Sequence, residues 1–138
     1  MIAGAVFGTI AGLSASSSEP ITDPQLSASK QTESALACKP LAMTPEVRKR
    51  HFEELAPALQ KLKKSTRELA NGYEFEFPAD EKTFQLLTEW ATQERLCCPF
   101  FEISLRFERD GGPLWLRLTG REGIKDFIRA EGAAWVKQ

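Results

Sequence analysis

Cys97 and Cys98 stand side by side in the run Glu94-Arg95-Leu96-Cys97-Cys98-Pro99-Phe100-Phe101, and the only other cysteine, Cys38, lies ahead of the first clear helix signal. Two neighbouring thiols can chelate an ion or cycle as a redox pair. A third thiol brought in by the fold makes a three-sulfur cup. Thiolates select soft ions such as Cu(I) or Hg(II), accept Zn(II) as well, and lose their protons on binding. Glu94 precedes the pair by three and four positions, so on a continuing helix its carboxylate lies near both thiols. The candidate metal set is therefore Cys38, Cys97, Cys98 and Glu94, with Glu94 as a fourth ligand or an orienting group. Against this stands the plain packing reading, because free cysteine is among the most frequently buried residue types.

Position disfavours thiol catalysis. The negative end of a helix dipole raises a thiol's pKa, and a nearby Glu94 carboxylate acts in the same direction. A bound cation reverses that balance by favouring thiolate and carboxylate together. Side chains of adjacent residues also tend to diverge, and a disulfide between them is strained and easily reduced. The single histidine, His51, reads as a surface or partly buried helix residue. Cys–His catalysis would need it beside a cysteine. Paired CxxC zinc spacing, glycine-rich phosphate loops and serine nucleophile motifs are all missing from the sequence. No catalytic residue and no enzyme class emerge.

The chain has 138 residues, a length that predicts one domain with a self-sufficient core. It carries 18 basic and 19 acidic residues for a net charge of -1, which gives no basic field for nucleic acid. An odd, low cysteine count fits a reducing compartment, so a cytoplasmic protein with free thiols is expected. Export is the alternative if Ile2 to Leu13, an apolar run too short to span a bilayer, acts as a signal. No Lys or Arg precedes that run, and Ser14 to Thr32 is rich in Ser, Pro and Thr without apolar periodicity. Residues 1–37 are therefore expected to form a disordered or signal-like tail, and residues 38–138 a single domain.

The elements that must position the thiols follow from local patterns. Thr44-Pro45-Glu46 starts a helix, with threonine as N-cap and proline in the first turn. Val47, Phe52, Leu55, Leu59 and Leu62 form its apolar stripe, and Pro57 demands a kink or two short helices. Asn71-Gly72 signals a hairpin turn between a short strand at Thr66–Leu69 and the alternating Tyr73, Phe75, Phe77. Asp80 caps a second helix with Phe84, Leu87, Trp90 and Ala91 on one face. Pro99 restrains Cys98 from helical angles, so that helix should stop at the cysteines. Alternation over Phe101–Phe107 and Leu114–Thr119, around Asp110-Gly111-Gly112-Pro113, predicts a second hairpin. A last helix opens at Thr119-Gly120-Arg121-Glu122. The predicted fold class is α+β, a two-layer sandwich in which an antiparallel sheet of two hairpins carries helices mainly on one face. Trp90 and Trp115 are expected to cover the sheet, with Trp115 on the polar side as a candidate partner contact.

With these pieces in order, the chain resembles a group of small uncharacterised bacterial proteins. The shared pieces are Cys38, Thr44-Pro45, Gly72-Tyr73-Glu74-Phe75, Glu94 to Phe100, and Leu118 to Gly123. The resemblance covers about residues 38–131 and departs at Arg121, where the group often has proline. It implies no activity, but it implies that Cys38, Cys97 and Cys98 form a set. Similar Cys-Cys segments accompany some mercury-type metal regulators.

Three readings remain open on sequence. The first is a soft metal or metalloid site built from the three thiols. The second is a thiol redox or sensor protein that links Cys38 to one of the pair. The third is a non-enzymatic interaction module with core cysteines. A metal ion is the expected partner, with no nucleic acid and no stable membrane span.

Overall fold

Hydrophobic alternation and proline placement account for most of the architecture. The computed structural model describes residues 35–138 and Gly12, and the chain divides into two units, Met1–Gln31 and Thr32–Gln138. The tail expected over residues 1–37 thus falls mainly outside the described residues.

After a single 3-10 turn at Pro40–Ala42, the first helical stretch runs as α1 (Pro45–Lys49), a π segment (Arg50–Leu55) and α2 (Ala56–Leu62). The Thr44 side chain accepts a hydrogen bond from the Val47 amide, as the cap signal required. Pro57 sits in the first turn of α2, directly after the π segment. The ring removes an amide donor and crowds the preceding turn, and here the backbone widens ahead of it, with the Ala56 amide reaching back to the carbonyl of His51. Widening by one residue rotates the following face. The apolar stripe is redistributed accordingly: Leu55 and Leu59 are fully buried, Phe52 is 46% exposed, and His51 turns inward at 1% exposure. The expectation of a surface or partly buried histidine is thus corrected.

Four strands follow, β1 (Ser65–Leu69), β2 (Gly72–Phe77), β3 (Glu102–Phe107) and β4 (Leu114–Thr119), with α3 (Glu81–Cys97) between the two hairpins. The sheet order is β1-β2-β4-β3 and every pairing is antiparallel. This is the α+β class read from the sequence. Tyr73, Phe75 and Phe77 pair with Leu118, Leu116 and Leu114, and all six are buried in a core shared with Leu55, Leu59, Leu87 and Trp90.

The Asn71-Gly72 signal located the turn for a different reason than expected. Ala70 and Asn71 make the connection, and neither has a positive φ. Gly72 belongs to β2, where an added Cβ would lie 2.0 Å from the carbonyl oxygen of Leu118. Replacing Gly72 with Ala should therefore force the central strands apart and cost about 2 kcal/mol, measurable by urea unfolding.

The opposite face of the sheet is polar. Glu74 is 1% exposed there, with Arg106 at 3.0 Å, Arg117 at 3.4 Å and Arg67 at 3.8 Å. Trp115 is 5% exposed, not a free partner contact. The Arg67 guanidinium lies 4.0 Å from its ring centroid, and its indole N–H donates to Glu108 at 2.7 Å. Long arginine side chains cover apolar surface while keeping their charge in water, which alternation alone cannot reveal.

The last helix, α4 (Ile124–Glu131), starts later than its sequence signal and is followed by α5 (Ala133–Val136). Gly123 precedes α4 with φ +92°, a left-handed conformation that favours glycine. Gly120 packs so closely that a Cβ would meet the Ile124 side chain at 2.7 Å. Both glycines of the Leu118–Gly123 motif thus have steric reasons. Among the described residues no helix is long and apolar enough to cross a membrane.

Candidate metal centre

Pro99 sets the geometry of the thiols. Cys97 is the last residue of α3, and Cys98 leaves the helix at φ -124°, ψ 70°, the departure expected of a residue before proline. This break overturns the expectation that adjacent side chains diverge. One cysteine projects from the helix and the next from its unwound end, so both reach the same point. Cys38 arrives from the other side. The Lys39 amide donates to the Cys97 carbonyl at 2.8 Å and pins the incoming chain to the end of α3. The Sγ atoms of Cys38, Cys97 and Cys98 all lie within 4.8 Å of one another. Cys38 and Cys98 are 3.5 Å apart, and all three are free thiols.

The spacing suits a shared ion. Zinc–thiolate bonds of about 2.3 Å in a tetrahedral site put sulfurs about 3.8 Å apart. Contraction of the wider contacts by at most about 1 Å would complete such a site. Cys97 and Cys98 are 1% and 2% exposed, whereas Cys38 is exposed and gives the cluster an open side.

Electrostatics hold the Cys97 and Cys98 thiols protonated. Burial, then the Glu94 charge and then Cys38, push the Cys97 thiol up to about 11. Burial and the Glu94 charge also raise Cys98, whose Sγ lies 3.5 Å from that of Cys38. This environment opposes a standing nucleophilic thiolate.

Glu94 is 8% exposed, and it reaches the thiols from the preceding turn of α3. Its Oε2 lies 2.7 Å from Nε2 of His51. The other ring nitrogen of His51 faces Oε1 of Gln93 at 3.2 Å, and the ring stacks on Trp90 with centroids 5.6 Å apart. Glu94 therefore stands beside both the thiol cluster and a buried imidazole, a position suited to orienting a thiol. Sequence reasoning missed Gln93 altogether and the burial of His51. Their contact joins the π segment to α3 and has no short-range signal. Removing the imidazole in His51→Ala leaves Glu94 and Gln93 without their buried partner. The expected cost is about 2 kcal/mol of unfolding free energy, read from urea denaturation.

Beside the sulfurs opens a cavity of about 250 Å³, lined among others by Trp90, Phe101, Phe127, Ile128 and Trp135. Trp135 in α5 packs on Trp90 with centroids 5.1 Å apart. Lys63 Nζ donates to the Trp135 carbonyl at 2.7 Å and holds α5 in place. No family model matches the chain, and no curated protein or solved structure is detectably similar to it.

Proposed function

We propose that this protein binds a soft metal or metalloid ion through Cys38, Cys97 and Cys98. The observation that carries this reading is the convergence of three sulfur atoms, distant in sequence, to within 4.8 Å of one another. Packing alone gives no reason for an exposed Cys38 to meet two buried cysteines. In this reading Glu94 orients the thiol cluster, and His51 holds the carboxylate in place. Zn(II), Cu(I) and Hg(II) are the ions of choice, since all accept thiolate donors. The raised Cys97 and Cys98 thiols weigh against redox sensing, which needs a reactive thiolate.

Titration of native thiols with a chromogenic reagent tests the proposal. Stoichiometric Zn(II), Cu(I) or Hg(II) should protect all three thiols together. Thiols that react independently of every ion would overturn it.

A further inference from the structure

The cavity beside the sulfurs is larger than an ion needs. An ion held by thiolate bonds of about 2.3 Å sits between the sulfur atoms and would take up only part of the space of about 250 Å³ that the same cysteines help to line. That space is walled largely by aromatic and aliphatic side chains, including Trp90, Phe101, Phe127, Ile128 and Trp135. Apolar walls offer water few hydrogen bonds, and an apolar cavity of about 150 Å³ is enough to take up benzene. A thiol chelate opening onto an aromatic chamber is suited to a ligand with a thiophilic head and an apolar body.

Charge narrows the head group. Three thiolates around a divalent ion carry a net negative charge beside Glu94, and buried charge of one sign is costly. A trivalent metalloid bound by two thiolates and one carbon is neutral. Its pyramidal geometry brings two sulfurs close together, which suits the 3.5 Å contact between Cys38 and Cys98.

We propose that the site takes a trivalent organoarsenical, with Cys38 and Cys98 holding the arsenic and the organic substituent lying in the aromatic cavity. This rests on the soft-ion reading and specifies its ligand class. Binding is a condensation. Two S–As bonds form, two As–OH bonds break, and each hydroxide leaves with one thiol proton as water. The As–C bond stays intact and arsenic remains trivalent. Inorganic arsenite differs in recruiting Cys97 as its third sulfur.

The test uses the full chain and three probes: arsenite, methylarsonous acid and phenylarsine oxide. Affinities are read by competition with a small dithiol and by counting the thiols lost. Phenylarsine oxide should occupy one site, remove two thiols and bind at least about tenfold more tightly than the methyl compound, because the ring buries far more apolar surface. Ala56→Phe, which adds a ring to the cavity wall, should lower phenyl affinity at least about tenfold relative to arsenite. Equal methyl and phenyl affinities in the unmodified protein would overturn the proposal, as would an unchanged phenyl-to-arsenite ratio in a folded Ala56→Phe protein. If that variant does not fold, the methyl-to-phenyl comparison decides. Failure of arsenite, Hg(II) and Zn(II) alike to protect any thiol would remove the soft-ion reading itself. Protection by arsenite without phenyl preference would remove only the organic substituent.

Discussion

Cys98→Ser is expected to weaken ion binding by at least about 100-fold, equivalent to about 2.7 kcal/mol, while leaving the domain folded. A serine hydroxyl is a hard donor that stays protonated at neutral pH, so the site loses one of three soft ligands. Cys98 is also the sulfur in contact with Cys38. The substitution is nearly isosteric, and a hydroxyl can keep the contact with Cys38 Sγ. Stability should therefore change by less than about 1.5 kcal/mol. Competition with a chromogenic zinc chelator gives the affinity, and urea unfolding of the same protein gives the control. An unchanged affinity would refute the three-thiol site. A lost affinity together with an unfolded chain would call for Cys38→Ser, whose exposed position separates binding from packing.

The second large effect is on pH. Cys97 and Cys98 both hold their protons more firmly than an ordinary thiol, so a cation must displace at least two protons to bind both. Zn(II) affinity should then rise at least about 100-fold per pH unit between pH 6 and 8, two decades for the two protons of Cys97 and Cys98. A slope of zero would mean that the ion binds elsewhere. The arsenical condensation releases water instead of protons, and its affinity should stay flat over the same range. Stability of the unliganded protein runs the other way. A thiol whose folded pKa is raised keeps its proton in the native state while the unfolded chain releases one, so the native state binds more protons and stability falls as pH rises. For Cys97 the loss spans the interval from its ordinary value near 9 to about 11. The urea midpoint should be constant below that window and decline through it, and stoichiometric Zn(II) should oppose the decline.

Cys38, Cys97 and Cys98 were legible as candidates because two were adjacent and no others competed. Pro99 also announced where α3 ends, since the ring restricts the residue before it whatever the tertiary context. The hairpins were legible for a similar reason: alternation at Tyr73–Phe77 and Leu114–Leu118 follows from the pleat itself. Trp115 was misjudged because alternation reports which side a residue takes, not whether Arg67 will lie across it. His51 was misjudged because its burial comes from contacts with Glu94, Gln93 and Trp90 of α3, about forty positions away in the chain.

The sequence by itself determined the α+β class, the strand alternation and the stop of the helix at Cys97, because each depends on the backbone and side chains within a few residues. Only the tertiary structure decided that Cys38 meets Cys98 across 60 positions. It alone placed His51 on Glu94 and opened an aromatic chamber beside the sulfurs. Those contacts depend on the packing of the first helical stretch and α4–α5 against α3 and the sheet, and residue types at each end carry no record of the distance between them.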